Sequence, residues 1–493
     1  MCGIVGFYSY NKDYNVVSDL IKSLMDLQHR GQLSAGITTY NKNRKRILQT
    51  YKENGKVDEV FRVNHRYKLD KIKENYSGNI GIGHSRYATS GDDSDTLAQP
   101  FERPHGRLNK WFSIAYNGNL SNFDQLKNDL EKIGYNMTYD SDTEIIMHYI
   151  SRYIQKNNPK EDLDFVEILK SLNTVFDGAW NLSFVNAEGN FFASRDVDGF
   201  HPLCYGFKDD LLVVASESCV LSNLQMESYD IPPGNVLVAN DKEFYVKEYA
   251  KPIKINHCFF EYIYFSRPDS ILNGKTAYEY RKNFGQQLAK EDKIEADLVV
   301  PVPDSGNAAA LGYAEEKGLK FDLGLIRNHY VGRTFIEPSQ QIRSLGVKLK
   351  LNPNISVIKD KRIILVDDSL VRGTTSSKIV KMLYDSGAKE VHVRIASPEI
   401  KFPDFYGVDT PTKKELLAAN KSTAEICEFI KAKSLKFLSL NGLYLGMGFE
   451  KRNENYPQLT DHHFTGEYPV KIIDELGEDK VTQLSLLSTA SNN

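Results

Sequence analysis

The sequence predicts a two-domain α/β chain, and three observations carry that reading. At 493 residues it is too long for one hydrophobic core, since domains run ~100–200 residues. Two halves of different character meet near residues 232–256, around Pro232-Pro233-Gly234. The second half alternates wholly apolar strands with helices of ~12 residues, the rhythm of a parallel sheet covered on both faces.

In the first half, short alternating strands mix with amphipathic helices. Leu20, Ile21, Leu24 and Leu27 share one helical face, with Gly31 as the expected C-cap. Leu126, Leu130 and Ile133 do the same behind Ser121 and Asp124, a capping-box spacing, with Gly134 to end the helix. A third helix opens at Ser141, with Glu144 in the box position, and runs through Ile145, Ile146, Tyr149, Ile150 and Tyr153. Segments 112–116, 180–185 and 211–216 read as strands. In the second half 298–300 and 363–366 read as apolar strands and 391–395 as a third strand, and 466–493 reads as a frayed C-terminal tail.

Composition narrows the function classes. Apolar residues make up 41% and aromatics 11%, enough to build cores. The net charge of −3, from 62 basic and 65 acidic side chains, points away from nucleic acid or a membrane surface as partner. Apolar runs are strand-length, short of the ~20 residues that cross a bilayer. MCGIVGF lacks a basic n-region, so neither signal peptide nor anchor is expected. Five scattered cysteines without a CxxC read as reduced, cytoplasmic usage.

The densest chemical signal is RIILVDDSLVRGTTSSKIVKMLYDSGA, residues 362–388. An apolar strand delivers Asp367 and Asp368 at its C-terminal end. A hydroxyl-rich loop follows, with Ser369, Val371, Arg372, Gly373, Thr374 and Thr375, and then a helix with Ile379, Met382 and Leu383 facing inward. Ligands of open parallel sheets sit beyond the carboxyl ends of strands. There the loop N–H groups and helix N-terminus favour an anion, and Gly373 permits close backbone approach. Paired acids beside such a loop suit ribose hydroxyls or a Mg²⁺ bridging to a pyrophosphate. A bare Asp-Asp would more often be a polar turn; strand, acids, Gly/Thr loop and helix in that order are not. No GxxxxGK[ST] is present.

VDDSLVRGTT resembles the phosphoribosyl pyrophosphate (PRPP) signature of type I phosphoribosyltransferases. VPDSGNAAALGYAEEKG (302–318), LGLIRNHYVGRTFIEPSQQIR (323–343) and EYIYFSRPDS (261–270) are similar to the glutamine PRPP amidotransferase family. The resemblance implies that Asp367 and Asp368 contact ribose and Mg²⁺, and that the loop through Thr375 holds the 5′-phosphate. Asp304 and Ser305 would reach the pyrophosphate, with Ser305 near the metal. Arg327–Thr334, including the PRPP-binding Arg333, would form a flap that shields a reactive centre from water.

Cys2, alone, would more often be a buried small cysteine. If Met1 is removed, however, one residue carries both a thiol and an α-amine of pKa near ~8, nucleophile and proton acceptor together. MCGIVGF, QHRGQLSAGI (28–37), GHSRYATSG (83–91), YNGNL (116–120) and SDTE (141–144) resemble the class II glutamine amidotransferase domain of the same family. Matched residue by residue, Arg86 would bind the α-carboxylate of glutamine and Asp142 its α-amine. Asn117 and Gly118 would form the oxyanion hole, and Arg30 and Gly31 would lie against the nucleophile. Singly, Asn-Gly is a common turn and SxxE a common cap.

The resemblance runs from Cys2 to about Tyr468. It implies an N-terminal nucleophile αββα sandwich over residues 2–235, followed by a type I phosphoribosyltransferase parallel α/β sheet over 256–465. The implied reaction is glutamine hydrolysis at Cys2 through a thioester, with ammonia passed to PRPP to give 5-phosphoribosylamine, the entry to de novo purine (IMP) synthesis. Mg²⁺, feedback inhibition by purine nucleotides and a homo-oligomer, tetramer or dimer, are further implications. Tyr264 and Arg267 lie where the family couples its two sites.

Several positions depart from the family pattern. One branch holds a 4Fe–4S cluster on four cysteines; here Cys258 is joined by Asp404, Thr460 and His463, so no cluster is expected. His462-His463 reads as a solvated pair. Leu33 replaces an acid, Tyr116 a His before NGNL, His201 an Arg, and His329 an Arg of the flap. These four are the support for a second reading, a relative that senses PRPP or nucleotides without coupled catalysis. A sugar-phosphate aminating enzyme would explain the first half but not the PRPP loop. Nothing beyond Met1 precedes Cys2, so an aminopeptidase would suffice for maturation.

Overall fold

The apolar run Gly3–Ser9 becomes the fourth strand of a seven-stranded antiparallel sheet. The order is Tyr229–Asp230, Cys204–Lys208, Leu211–Ala215, Gly3–Ser9, Ile80–Arg86, Ser34–Tyr40 and Leu48–Asn54. A second antiparallel sheet follows the order Phe244–Glu248, Asn235–Ala239, Phe191–Ser194, Gly178–Asn186, Phe112–Leu120 and Phe101–Arg103. The structure, a computed structural model, describes residues 1–87, 95–157, 163–328, 351–470 and 472.

Side-chain alternation explains why the two sheets stack as four layers. In Gly3–Ser9, Ile4 and Tyr8 join Ile80, Ile82, Val185 and Phe191 between the sheets, while Val5 and Phe7 pack with Leu20, Leu24 and Leu27 on the outer face. In Phe112–Leu120, Ala115 points between the sheets, whereas Phe112, Ile114 and Tyr116 meet Leu126, Ile145, Ile146 and Leu169 on the opposite outer face. Helices Val17–Asp26 on one side, and Phe123–Glu131, Asp142–Asn157 and Phe165–Asn173 on the other, complete an αββα sandwich. Phe184 stacks on Phe192 and Phe112 with centroids 4.6 and 5.2 Å apart.

Two caps differ from expectation. The first helix ends at Asp26 with Leu27 as its cap residue, not at Gly31. Gly31 instead lies against the next strand but two, where a Cβ would come within 2.5 Å of the Ser85 and Arg86 backbone. Asn122, not Ser121, stands at the N-cap of Phe123–Glu131, because the Ser121 backbone N–H is already committed to Asp177 O at 2.9 Å. Glu144 keeps half of the expected box, its amide 3.4 Å from Ser141 Oγ, while its carboxylate accepts the Thr138, Tyr139 and Asp140 amides at 2.7, 2.7 and 3.1 Å. The strands read at 112–116, 180–185 and 211–216 are Phe112–Leu120, Gly178–Asn186 and Leu211–Ala215.

The first compact unit comprises Met1–Cys258 with Asp404–Thr410 and the described residues from Tyr468 on. Within it Tyr406 stacks on Phe200 at 4.3 Å and accepts His201 Nε2 at its carbonyl, 2.7 Å away, which gives His201 a structural place. Asp404 caps its own turn, accepting the Tyr406 and Val408 amides at 2.8 and 2.7 Å.

The second unit, Phe259–Pro403 with Pro411–Glu467, holds the parallel sheet. Its order is Lys320–Phe321, Leu298–Pro301, Arg362–Asp367, Glu390–Ile395 and Ser434–Phe437, every pair parallel. Helices Ala277–Glu291 and Asn307–Lys317 touch backbone to backbone: a Cβ on Gly285 would meet Ala309 O at 1.9 Å, and one on Gly312 would meet Lys282 O at 2.0 Å. Asp292 accepts Tyr313 Oη at 2.6 Å and pairs with the buried Arg394, tying helix to sheet. His462 and His463, read as a solvated pair, are both buried, stacked at 4.0 Å, with His463 against Phe260 at 4.4 Å. Thr460 Oγ1 lies 2.9 Å from His462 Nδ1.

Gly312→Ala should lower stability by about 1–3 kcal/mol through overpacking, and Gly106→Ala, whose Cβ would meet nothing within 4 Å, should leave it unchanged; urea unfolding checks both. Burial opposes the ionisation of Asp292, but Arg394 and Tyr313 outweigh it and its pKa is lowered. Its ionised contribution is therefore present above the unfolded value, ~3.9, and is lost as pH falls through the lowered folded value. Asp292→Asn should cost about 3–5 kcal/mol at neutral pH and flatten the fall of the urea midpoint below about pH 4.

Candidate active sites

Strand register brings the first candidate site together. Gly3 pairs with Ser85 and Val5 with Ala215, so the strand ends Arg86 and Ser216-Glu217 lie alongside Cys2. The Ile4 amide donates to Ser216 Oγ at 3.0 Å. From the facing sheet Asn117 presents its side chain, and its Oδ1 accepts the Cys2 N–H at 2.9 Å. That bond fixes the amide's orientation. Asn117 Nδ2 is then a buried donor with no partner among the described residues. An unsatisfied buried donor beside a thiol costs free energy in the resting state and is what an oxygen acquiring negative charge requires.

Gly118 lies within a paired strand, not a turn, and a Cβ there would come within 2.0 Å of Ala179 O. Cys2, Arg86, Tyr116, Gly118, Ser141 and Asp142 line one cavity, with Leu97, Gln99 and Thr143. Asp142 begins the Asp142–Asn157 helix, and its Oδ2 accepts the Leu120 amide at 3.1 Å and faces Tyr116 Oη at 3.2 Å. His84, fully buried, is pushed down to about 3 by burial and stays neutral; its Nε2 contacts Tyr116 O at 3.0 Å. A cavity with a cation and a carboxylate on its wall and a thiol at its end fits a zwitterion whose side chain reaches the thiol.

Arg30 is fully buried and its Nε donates to Cys2 O at 3.1 Å, with Gly31 packed beside it. Nη1 of Arg30 donates to Glu217 Oε1 at 2.5 Å, and His29 Nε2 reaches the same oxygen at 2.6 Å. The sequence reading missed Glu217. Its one local signal was an acid ending the apolar strand LLVVASE, in a place where a free carboxylate cannot remain charged without a cation. Gln99 was also missed; its Oε1 accepts the Tyr116 amide at 2.8 Å. Leu33, a departure from the family pattern, is held by backbone bonds to Arg86 O and Gly55 N.

The second candidate site sits at the carboxyl edge of the parallel sheet. Leu298–Pro301 and Arg362–Asp367 are neighbours in register, Pro301 beside Val366, so their loops emerge together. One loop carries Asp304 and Ser305, the other Asp368, Ser369, Val371, Arg372 and Gly373. The Ser305 hydroxyl favours the ionised forms of both Asp367 and Asp368. Burial, and then the charge of Asp368, push Asp367 well above the ordinary carboxylate range. Burial raises Asp368 as well, against the opposing pull of the Ser305 and Ser369 hydroxyls and Arg281. Two adjacent carboxylates with raised proton affinity are short of positive charge, and an all-oxygen donor set suits a hard divalent cation.

Gly373 adopts φ +69 at the N-cap of Thr374–Asp385, leaving Thr374 and Thr375 exposed on the first turn. Arg372 pairs at the surface with Glu415 at 3.2 Å, and Asp304 pairs with Arg327. Arg327 ends one strand of the hairpin Leu325–Arg327 with Leu351–Pro353. Of the expected flap, residues 327 and 328 are described, and 329–334, with His329 and Arg333, lie outside the described residues. Tyr264 is part-exposed in the turn Glu261–Phe265, and Arg267 pairs with Asp269 at 2.6 Å.

Known proteins resemble this chain over nearly its whole length. The glutamine amidotransferase domain family matches residues 84–223. The amidophosphoribosyltransferase of Rhizobium etli is 40% identical over 99% of this chain and 95% of its own. That of Methanocaldococcus jannaschii is 41% identical over 96% and 98%. Glutamine PRPP amidotransferase of Bacillus subtilis, solved with ADP and GMP, superposes with a TM-score of 0.84 at 38% identity, covering 97% of this chain and 99% of that one. The chain belongs to the amidophosphoribosyltransferase family, glutamine-dependent glycosyltransferases with a glutaminase domain that carry out the first step of purine biosynthesis.

Proposed function

We propose that Cys2, freed of Met1, hydrolyses glutamine and that the ammonia is passed to PRPP, giving 5-phosphoribosylamine, pyrophosphate and glutamate. The observation that carries the reading is the Asn117 amide, tied to Cys2 N through Oδ1 with Nδ2 buried and unpartnered among the described residues. Residues 2–235 would be the glutaminase and 256–465 the phosphoribosyltransferase.

In this reading Arg86 and Asp142 hold the α-carboxylate and α-amine, setting the side-chain amide beside the thiol. The Cys2 amine takes the thiol proton as sulfur attacks the carbonyl carbon. Asn117 Nδ2 and the Gly118 N–H stabilise the oxyanion, worth ~10²–10³ in rate per donor. Protonation of the leaving nitrogen releases ammonia, and water then hydrolyses the thioester. Arg30 and Glu217 hold the nucleophile's main chain through the bond to Cys2 O.

At the other site Thr374, Thr375 and the helix N-terminus would hold the 5′-phosphate, with Ser369, Val371, Arg372 and Gly373 shaping the loop. Asp304, Ser305 and Arg333 would lie on the pyrophosphate side and Asp367 and Asp368 on the ribose. Ser305, Asp367 and Asp368 fit Mg²⁺, which when bound supplies positive charge to the departing pyrophosphate. The solved Bacillus subtilis relative was complexed with ADP and GMP, which supports purine nucleotides as feedback inhibitors here. We further propose a homo-oligomer of the cytoplasm. Among the described residues no helix is long and apolar enough to cross a membrane, and the Arabidopsis thaliana relatives are named as chloroplastic.

The test is glutamate release from glutamine, with and without PRPP and Mg²⁺, with pyrophosphate followed in parallel. Release that rises with PRPP and matches pyrophosphate one for one is expected. No turnover of either substrate, in protein lacking Met1, would reject the enzyme in favour of a PRPP or nucleotide sensor. Cys2→Ala should abolish glutamine use and keep ammonia-dependent synthesis, whereas Asp367→Asn should lose both. Glu217→Gln, which strands a buried guanidinium, should reduce glutamine-dependent turnover by roughly tenfold or more and spare the ammonia reaction.

A further inference from the structure

Tyr116 stands where the family pattern has a histidine, and its surroundings give it a task. It lies in the middle of Phe112–Leu120, is 4% exposed, and points to the outer face of its sheet, where the Asp142–Asn157 helix begins. Its hydroxyl is 3.2 Å from Asp142 Oδ2 and 3.1 Å from Ala179 O. The Leu120 amide donates to the same Oδ2 at 3.1 Å. At both ends of its peptide the residue is pinned, its N–H by Gln99 Oε1 and its carbonyl by His84 Nε2. Burial, and then the Asp142 charge, hold the phenol protonated, so toward a carboxylate it is a donor.

We infer that Tyr116 is a specificity-determining residue of the glutaminase site, fixing the Asp142 carboxylate so that it selects substrates carrying an α-ammonium group. The inference rests on the proposed role of Asp142. A carboxylate on the first turn of a helix can rotate about its side-chain torsions. One backbone N–H on Oδ2 sets a distance; a second donor from the rigid Tyr116 ring sets the plane. Preorganisation of that kind acts on the substrate's charged amine and not on the carboxamide that reacts at Cys2. A histidine there, with a shorter ring and no hydroxyl, would have to bond differently. Tyr116 is therefore a positioning group, acting through Asp142.

The experiment compares glutamine with glutaramate, the same carboxamide and carboxylate without the α-amine, in the unmodified chain and in Tyr116→Phe. The preference for glutamine in kcat/KM should fall about tenfold in the variant, mainly through KM for glutamine, with glutaramate affected little. Ammonia-dependent synthesis reports on folding of the variant protein; if Tyr116→Phe is not recovered folded, the same ratio is read on Tyr116→Met. Equal losses on the two substrates, or an unchanged ratio, overturn the inference, because a packing role lowers both alike. Asp142→Asn separates this from the reading beneath it. If that change leaves glutamine KM untouched, the assignment of Asp142 fails. If it raises KM while Tyr116→Phe leaves the ratio unchanged, only the role of Tyr116 fails.

Discussion

The constraint on which the glutaminase half depends is that its first strand is an interior one. Gly3–Ser9 is paired on both sides, with Leu211–Ala215 and Ile80–Arg86. A chain start is normally the first thing to fray, but this one is clamped by two ladders of backbone hydrogen bonds. The residue before it inherits a fixed position. Arg86 and Glu217 are placed by the same ladders: Arg86 is one step past Ser85, and Glu217 two steps past Ala215. Asn117 and Tyr116 then arrive from the facing sheet on opposite faces of one strand, the first toward Cys2 and the second toward the helix that carries Asp142.

The two candidate sites meet opposite electrostatic problems. Around Cys2 the charges are already balanced in place, with Arg30 held by the fully buried Glu217. Removing either member leaves a charge in a dry environment, which is far costlier than the pair itself is favourable. At the parallel sheet, Asp367 and Asp368 crowd negative charge that burial and mutual repulsion drive toward protonation. At the first, opposite charges are paired side chain to side chain, and at the second two neighbouring carboxylates share a shortage of positive charge.

What could be read from the sequence follows the distance over which each feature is encoded. The strand, acid pair, loop and helix of 362–388 lie in one continuous segment, and the structure has them in that order, with Gly373 in the positive-φ region. The resemblance located Cys2, Arg30, Arg86, Asn117, Gly118 and Asp142, and the fold gathers them about one strand end. Glu217 was hard to read because its partner Arg30 is 187 residues away and the only local signal is an acid at the end of an apolar strand. Capping was misjudged where tertiary contacts took over. Gly31 is small because a strand backbone passes beside it, and Ser121 sits in the bond network of Asp177. The burial of His462 and His463 reflects packing against Phe260, which no spacing rule contains.

The Asn117-Gly118 pair, read singly, would have been a turn, and it is instead strand interior, with Asn117 opposite Asn181 and Gly118 opposite Trp180. That location bears on the chemical lifetime of the protein. Asn-Gly is the dipeptide most prone to deamidation, because the glycine nitrogen can fold back onto the side-chain carbonyl. Here the carbonyl oxygen is engaged by Cys2 N and the backbone is held extended, so the ring-closing geometry is out of reach while the sheet is intact. In an unfolded chain the same pair would age to isoaspartate and aspartate, acceptor-only groups that lack the buried Nδ2 donor of Asn117. The sheet thus acts as a preservative for the amide that is bonded to Cys2 N.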